Sequence, residues 1–264
     1  MIGSATYSGT ATNVSITSNI PEGGMTMTVR DEPYVVVWSL RDACGHEMTT
    51  CSTYVTVQYT PCEGTYVMTD GSYPYKRIGS QCWFLVNLRE KVGDYHPYKD
   101  NNDNTANFGY LYSWYTAAGV TPEGNTAAPQ TQNGDDGQPY VRGICPAGWS
   151  IGSQEDYEIL NDYATDVKYL KDPSTQYWQS GLEGVNSTDN TGFGARGGGW
   201  YNSSVNRYDD LMIRYRFWTS DSAPGTTTAT GGVINYYCDS IMFESSQKAD
   251  RRSVRCIRKV YTGE

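Results

Sequence analysis

The chain has 264 residues and a formal net charge of -9, which argues against a nucleic-acid backbone as a partner. No apolar run approaches the roughly 20 residues of a membrane span, so we expect no membrane insertion. The 7 Cys include no Cys-x-x-Cys pair and no zinc-like spacing to either of the 2 His, which favours disulfides and an extracellular, oxidising location. Tyr outnumbers Phe by 23 to 5, which predicts half-exposed rings on a binding surface.

Residues 1–62 are predicted to form a small all-β module. The segments 34–40 and 54–59 are rich in β-branched and aromatic residues, and the second alternates with the period of a strand. Asp42-Ala43-Cys44-Gly45, which lies between them, is typical of a turn, and Cys51 opens the returning strand. A disulfide between Cys44 and Cys51 across this hairpin is geometrically plausible.

This hairpin resembles one found in bacterial immunoglobulin-like surface modules. The resemblance lies in Asp42-Ala43-Cys44-Gly45-His46 and Thr50-Cys51, with His46 where those modules usually have Asn. About 60 residues is short for a complete immunoglobulin-like sandwich, so a strand is either missing or supplied from elsewhere.

Residues 63–264 are predicted to form the second domain. Asp70-Gly71 is a strong signal for a hairpin turn, and 81–88 follows as an apolar strand. A disulfide between Cys62 and Cys82 is a candidate. The apolar and aromatic segment 108–118 suits a short helix or a buried strand, and we favour the helix.

A polar loop at 94–107 contains Asp100-Asn101-Asn102-Asp103-Asn104, whose oxygens suit calcium. No Gly lies among these residues and no Glu follows at EF-hand spacing, so we favour a solvated turn. Asp100 and Asp103 stay as calcium candidates, and otherwise we expect no cofactor.

Ser153, with Asp156 three residues later, predicts the start of a helix. Ile159, Leu160 and Tyr163 would form its apolar face. Beyond this helix only short strands and long loops are indicated. The clearest of those strands are 216–220 and 252–260.

Two cysteines, Cys145 and Cys256, lie far apart, each in a short apolar segment. A disulfide between them would close a very large loop, which is worth roughly 4–5 kcal/mol in the chain-entropy model. A frame closed in this way can carry loops of almost any sequence, and such loops are where binding residues tend to lie.

Gly148-Trp149-Ser150-Ile151-Gly152 matches the nucleophile-elbow pattern of hydrolases. An elbow needs a preceding strand and a later His as base, but Pro146 interrupts the approach and no His follows His96. We therefore expect Trp149 to pack in the core and Gly152 to make the turn into the helix.

Six spaced motifs between residues 64 and 260 resemble the Fibrobacter succinogenes major paralogous domain. They are Asp70-Gly71 to Asn87-Leu88, Gly109-Tyr110-Leu111-Tyr112-Ser113-Trp114, Gly143-Ile144-Cys145-Pro146-Ala147-Gly148-Trp149, Thr191-Gly192-Phe193, Phe217-Trp218-Thr219-Ser220 and Ser253-Val254-Arg255-Cys256. The resemblance implies a C-type-lectin-like fold, which is shared with formylglycine-generating enzymes and with the variable proteins of diversity-generating retroelements. It also implies a ligand-binding end of a surface protein or pilus tip.

In some proteins of this kind a retroelement rewrites residues in the last third of the chain. Adenine-directed mutagenesis of Asn codons yields mostly Asn, Tyr, Asp, Ser and Cys, and two segments here have that composition, 200–210 and 235–240. The alternative is that both are ordinary Gly/Tyr-rich loops. The predicted ligand-binding residues are Trp200, Tyr201, Asn202, Ser203, Asn206, Arg207, Tyr208, Asp209, Asp210, Arg214, Tyr215, Asn235, Tyr236, Tyr237 and Asp239.

The sequence therefore predicts an α+β fold: a C-type-lectin-like domain with long loops and one or two short helices, preceded by an immunoglobulin-like module. We expect an adhesin on a bacterial cell surface that is not an enzyme and binds an extracellular protein or glycan, with pilus or surface-anchor subunits as further partners. The alternatives are a structural pilus or surface-layer subunit, or an enzyme with a formylglycine-generating-enzyme-like fold. Such enzymes use two late cysteines, here Cys238 and Cys256, and the second is better used in pairing with Cys145.

Overall fold

Two units of different size divide the chain, Met1–Thr60 and Pro61–Tyr261. A computed structural model describes residues 14–21, 33–55, 62–122, 129, 131–133, 139–179 and 187–259. The division between the units lies close to the boundary expected at 62/63.

The described part of the first unit is an antiparallel sheet. Its strands are Ser15–Ser18 (β1), Tyr34–Arg41 (β2) and Glu47–Val55 (β3), in the order β1–β2–β3. The predicted turn joins β2 to β3, where the Asp42 carboxylate accepts hydrogen bonds from the backbone N–H groups of Cys44 and His46. The predicted strand 54–59 begins earlier, at Glu47, and its residues 56–59 lie outside the described ranges.

The predicted Cys44–Cys51 disulfide is wrong, because both cysteines are free and exposed. Arg41 pairs with Glu47, so Cys44 lies in the turn beyond the last strand pair, whereas Cys51 lies opposite Trp38. The strand from Glu47 to Cys51 alone spans roughly 13 Å. A disulfide requires Cα atoms within about 7 Å of each other.

The second unit is mostly β structure with a few short helices. Its strands are β4 (Glu63–Val67), β5 (Ser72–Ile78), β6 (Gln81–Phe84), β7 (Tyr95–His96), β8 (Leu111–Ser113), β9 (Thr131–Asn133), β10 (Pro139–Val141), β11 (Ser150–Ile151), β12 (Gly198–Asn202), β13 (Arg207–Leu211), β14 (Arg214–Trp218), β15 (Thr228–Asn235), β16 (Met242–Gln247), β17 (Arg251–Arg252) and β18 (Cys256–Lys259). Its α-helices are α1 (Thr105–Phe108), α2 (Trp114–Ala118) and α3 (Gln154–Ala164), and 3-10 helices cover Tyr98–Asp100, Asn102–Asn104 and Val167–Tyr169. Within the described ranges no helix is both long and apolar enough to cross a membrane.

Two larger sheets organise this unit. One has five strands in the order β11–β18–β6–β5–β4, and the other follows the path β16–β15–β14–β12–β17–β8–β7, with β13 paired to β12. β9 and β10 form a separate two-stranded ribbon. The composition of elements is compatible with the predicted α+β class.

The predicted strand 252–260 is interrupted between β17 and β18. Ser253 forms an isolated bridge with Phe217, and the carbonyl of Val254 accepts a hydrogen bond from the N–H of Leu88 at 2.9 Å. This segment therefore leaves one sheet and enters the other, which places Arg255 between them.

α3 begins as predicted, with a reciprocal capping box in which Ser153 and Asp156 each bond the other's backbone N–H. The predicted apolar face is only partly correct. Leu160 is buried, but Ile159 is 38% and Tyr163 58% exposed. The helix instead buries Tyr157 and Ala164 with Leu160, a spacing of three and four residues.

The segment 108–118 is not one helix. α1 ends at Phe108, and its C-cap is Gly109, where φ is 78° and a Cβ atom would lie 2.6 Å from the Leu88 carbonyl oxygen. The chain then forms β8, and Ser113 caps α2 by accepting a hydrogen bond from the N–H of Thr116. The cap at Ser113 therefore fixes where the second helix begins.

Both remaining predicted disulfides are present, Cys62–Cys82 and Cys145–Cys256. Trp149 packs in the core as predicted, 1% exposed, with its ring centroid 4.3 Å from that of Phe84. The long-range disulfide therefore joins a segment that is already anchored by core packing.

Several tyrosines that composition assigned to the surface are core residues. Tyr73, Tyr112 and Tyr215 are fully buried. Their hydroxyl groups donate to the Glu90 carboxylate, the Glu90 carbonyl and the Asn87 side chain, at 2.7, 2.8 and 3.0 Å. Part of the tyrosine excess therefore lies in the core, where the ring packs against apolar side chains and the hydroxyl donates a hydrogen bond to a buried acceptor.

Asp189 is expected to make the stability of this unit depend on pH. Burial raises the pKa of its carboxyl to about 6, although the Gly194 N–H donates to it at 3.0 Å. The folded state then binds more protons than the unfolded state from pH ~4 to ~6, so stability falls as pH rises through that window. Asp189→Asn should add roughly 1–2 kcal/mol at pH 7.5, after allowance for solvent screening.

The variant keeps the acceptor oxygen for Gly194, and Asn tolerates the positive φ of 46° at this position. Urea titrations of both proteins at pH 7.5 and pH 4 measure the effect. The difference between them should be much smaller at pH 4, where the wild-type carboxyl is protonated in the folded state and about half protonated in the unfolded state. An equal difference at both pH values would contradict the assignment.

Candidate functional site

The segment predicted as a variable loop from Trp200 to Asp210 is a β-hairpin. β12 and β13 pair antiparallel, with Trp200 opposite Asp209, Tyr201 opposite Tyr208 and Asn202 opposite Arg207. Side chains alternate along a strand, so Trp200 and Asp209 share one side of this ribbon and Tyr201 and Tyr208 share the other. The predicted residues are therefore divided between two sides.

The hairpin turn is fixed by side-chain hydrogen bonds. The backbone N–H and hydroxyl of Ser203 both donate to the Asp250 carboxylate, at 2.9 and 2.7 Å. Asn206 adopts a positive φ of 51°, and its amide oxygen accepts a hydrogen bond from the Tyr201 hydroxyl. The predicted residues Ser203 and Asn206 thus shape the turn.

One side of the ribbon is aromatic. The rings of Tyr201 and Tyr208 lie 5.0 Å apart, and Tyr98 lies 5.3 Å from Tyr208. Tyr98 is buried against Gly199, where a Cβ would lie 2.7 Å from its ring and where φ is 65°. A glycine at 199 therefore allows the buried Tyr98 ring to support Tyr208, which in turn contacts Tyr201.

A polar network fixes these rings from beneath. The Tyr208 hydroxyl donates to Asp100 at 3.1 Å, and the His96 ring contacts Asp100 at 2.7 Å and Asp94 at 3.1 Å. Arg251 donates to Asp94 at 3.0 Å and lies 4.4 Å above the Tyr201 ring.

Burial and the adjacent Asp100 carboxylate raise the pKa of Tyr208 to about 12, and the hydrogen bond with His96 lowers the pKa of Asp100. Tyr208 therefore stays a neutral hydrogen-bond donor across the physiological range.

The calcium candidates do not form a cluster of ligands. Asp100 is engaged by His96 and Tyr208, and Asp103 lies in the short 3-10 helix, where its N–H donates to Asn101. Among the residues that the structure describes, no group of three or more His, Cys, Asp or Glu side chains is arranged to hold a metal ion.

The other side of the ribbon is supported by ion pairs. The guanidinium of Arg216 lies 4.5 Å from the Trp200 ring and that of Arg252 lies 5.4 Å from it. Glu244 forms an ion pair with both arginines. Burial lowers the pKa of Arg252 to about 10, which still leaves it charged at neutral pH. Trp200 is therefore half-buried against two cations that support this side of the ribbon.

Asp210 and Arg214 connect the hairpin to the second predicted segment. Asp210 has a positive φ of 66°, so its carboxylate turns towards Arg214 and Arg216, at 3.0 and 3.2 Å. Arg214 also donates to Asn235 at 2.7 Å and is hydrogen-bonded to Tyr237. The two predicted segments thus meet at Arg214.

The prediction that Tyr215 and Asn235 contact the ligand is wrong, because both side chains are buried. Tyr215 is 0% and Asn235 1% exposed, because β14 and β15 are inner strands of the larger sheet. Tyr236 is half-buried and packs against the core, and Tyr237, 4.8 Å from it, is 55% exposed. Asp239 is exposed, and its carbonyl accepts from the N–H of Val167.

A groove of about 1180 Å³ opens beside Tyr201. Its lining includes Arg251 and Ser203 from the hairpin region, Tyr115 and Thr116 from α2, and Cys145. The long-range disulfide therefore lies in the wall of a groove that adjoins the aromatic side of the ribbon.

Sequence reasoning missed the supporting residues Asp94, His96, Tyr98 and Arg251. The signal for the first three was incomplete: with Asp100 they occupy alternate positions, but only Tyr95–His96 is a strand and Tyr98–Asp100 is a 3-10 helix. No comparable signal marks Arg251, which lies next to the buried Arg252.

A family model for the Fibrobacter succinogenes major domain matches residues 77–258. The match runs from β5 to β18 and includes the hairpin and both cysteines of the long-range disulfide. No curated protein and no solved structure matches the chain. The matched residues make up well over half of the sequence, and the chain therefore belongs to the Fibrobacter succinogenes major domain family.

Proposed function

We propose that this protein is an extracellular, ligand-binding adhesin of a bacterial surface, and that it contacts its ligand through the β12–β13 ribbon. The observation that carries the proposal is the pair of half-exposed rings, Tyr201 and Tyr208, braced by Tyr98 and a network of charged residues. Rings that are held in place before binding lose little conformational entropy when a ligand arrives.

Polar residues on the side of the ribbon opposite these rings also suit recognition of a protein or a glycan. Asn202 and Arg207 lie opposite each other at the end of the hairpin, and Arg207 is exposed beside Asp209, to which it donates at 2.8 Å. Arg214, Tyr237 and Asp239 extend the surface beyond the ribbon. Exposed aromatic rings together with polar, hydrogen-bonding side chains are the composition expected of a specific interface.

We further propose that the second unit has a C-type-lectin-like fold and that the first is an immunoglobulin-like stalk or pilus-coupling module. The short strands, long connections and few helices of the second unit support the former. The three-stranded antiparallel sheet of the first unit supports the latter. We propose no enzymatic activity, since Cys256 is bonded to Cys145 and is not available to act with Cys238.

Retroelement diversification predicts where sister genes should differ. Substitutions should cluster at Tyr201, Asn202, Asn206 and Tyr208, because these side chains are accessible and the frame beneath them is closed. Tyr215 and Asn235 should not vary, since both are buried. Sequencing related copies and the neighbourhood of the gene, where a reverse transcriptase is expected, tests this. Substitutions spread evenly over buried and exposed positions would contradict it.

Tyr208→Ala is expected to weaken ligand binding by about 10-fold to 30-fold or more, the usual cost of removing an aromatic anchor. The melting temperature should change by only a few degrees, because the ring is half-exposed. Binding is measured first on arrays of immobilised glycans and extracellular proteins, then by interferometry on the array hits.

Tyr163→Ala, which removes an exposed tyrosine from α3, is the matched control and should bind like wild type. Equal losses in both variants, or binding unaffected by Tyr208→Ala, would contradict the assignment of the face. If the protein binds neither array but polymerises into fibres, the structural-subunit alternative is favoured instead.

A further inference from the structure

β3 offers an unusually long and open sheet edge. It has nine residues, and the side chains of the first eight are exposed. Along one edge it pairs with β2, and among the described residues no strand pairs along its other edge. An open edge of this length is a template for another strand unless charge, Pro or a covering element blocks it. β3 contains no Pro, and its one charged residue, Glu47, is at its end.

The sequence of β3 is complementary to itself about its central residue, Cys51. If two copies pair antiparallel on a two-fold axis through that residue, Thr50 meets Ser52 of the second copy and Thr49 meets Thr53. Farther out the two-fold pairs Met48 with Tyr54 and Glu47 with Val55. Hydroxyl pairs and an aromatic–aliphatic pair are favourable across strands, and no like charges oppose each other.

The two-fold also brings the Cys51 residues of the two copies together. Directly opposed residues of an antiparallel pair have Cα atoms about 4.5 or 5.5 Å apart, according to their position in the ladder. Both separations lie within the range of about 4.4–6.8 Å in which disulfides form. Cys51 is free and exposed, and Cys44 lies too far along the hairpin to compete for it within one chain.

We propose that two copies of this chain pair edge to edge through β3 and are joined by a disulfide between their Cys51 residues. Oxidised glutathione, or another disulfide oxidant, supplies the chemistry. The Cys51–Cys51 bond forms, the oxidant's S–S bond breaks, and the two thiol protons end on its two released thiols. The proposal does not depend on the ligand-binding function.

The covalent bond is essential to this dimer. A single strand edge buries far less than the roughly 1,200–2,000 Å² of a stable interface, so pairing without the disulfide leaves monomers at micromolar concentration. Once linked, each assembly carries two copies of the ribbon face, which raises avidity for a ligand presented many times on one surface.

The test oxidises the full chain with glutathione and analyses it by non-reducing electrophoresis, light scattering and mass spectrometry of linked peptides. Wild type and Cys44→Ser should dimerise through a Cys51–Cys51 peptide, and Cys51→Ser should stay monomeric. A register control, Cys51→Ser with Thr50→Cys, should lose most of the dimer. In that variant the cysteine at position 50 lies opposite Ser52 of the second copy. The two introduced cysteines are therefore two residues out of register and do not face each other.

A second register variant is Cys51→Ser with Thr49→Cys and Thr53→Cys, which should regain the dimer with 49–53 links between copies. Equal dimer yield from the Thr50→Cys control would show a random encounter of exposed thiols and overturn the proposal. A dimer linked through Cys44 or Cys238, an intrachain Cys44–Cys51 bond, or a monomer with Cys51 glutathionylated would overturn it too.

Discussion

Replacing Cys145 and Cys256 together with alanine is expected to lower the free energy of unfolding of the second unit by about 4–5 kcal/mol. The two residues are 111 positions apart, and a bond of that separation removes a large amount of chain entropy from the unfolded state. For a unit of this size the melting temperature should fall by roughly 10–15 °C. Denaturant titration followed by tryptophan fluorescence measures the loss.

Trp38 is the one tryptophan outside the second unit, so this signal reports mainly on the second unit. The matched control is the double alanine variant of Cys62 and Cys82, whose separation is 20. Its expected cost is smaller, about 3 kcal/mol, since the closed loop is shorter. Equal losses in the two variants, or a larger loss in the control, would contradict the view that the long closure holds the frame.

The two ends of this closure could be anticipated one by one, although they are 111 positions apart, and the start of α3 could be anticipated from local signals alone. Cys145 and Cys256 each lie in a short apolar segment, and the start of α3 follows from Ser153 and Asp156 alone. Capping and turn chemistry involve residues a few positions apart, so the sequence displays both partners at once.

The residue types of the proposed binding face could be named from the sequence, but their geometry could not. Tyr215 and Asn235 have the same residue types as the exposed Tyr237 and the turn residue Asn206. What buries the first two is the position of β14 and β15 inside a sheet whose strand order is far from chain order. That order depends on pairings between distant segments, which no local period reveals.

The same limit applies to the hairpin cysteines and to α3. Cys44 and Cys51 have a favourable spacing, but the register of β2 on β3 places one in the turn and the other well along the strand. Ile159 and Tyr163 have apolar character and are exposed, because the helix rotates to bury Tyr157 instead. In both cases the residue types allowed more than one arrangement. The tertiary structure decides which cysteines can pair and which helix side chains are buried.

The residue on which the two sheets converge is Asn87. Its amide oxygen accepts from the Tyr215 hydroxyl at 3.0 Å and from Arg255 at 2.8 and 3.2 Å. Its amide nitrogen donates to the Phe108 carbonyl at 2.9 Å and to the Ser253 hydroxyl at 3.3 Å. Arg255 is 0% exposed, and burial lowers its pKa, so this charge depends on neutral acceptors.

Asn87→Leu is therefore expected to destabilise the second unit by about 3–5 kcal/mol, because it leaves the Arg255 charge buried without its main side-chain acceptor. Asn87→Asp is the matched control. Its carboxylate still accepts from Arg255 and Tyr215, and only the two donated hydrogen bonds are lost, so the cost should be smaller. Arg255 should depress the pKa of the new carboxyl below its unfolded value.

The control variant should then lose stability as pH falls through that lowered pKa, whereas Asn87→Leu should lack this dependence. Urea titrations from pH 7.5 down to pH 3 measure both effects. Arg255 also donates to the backbone carbonyls of Phe193 and Gly194. If Asn87→Leu were as stable as Asn87→Asp at neutral pH, these two carbonyls alone would satisfy the buried arginine. Asn87 would then be a packing residue and not the polar link between the sheets.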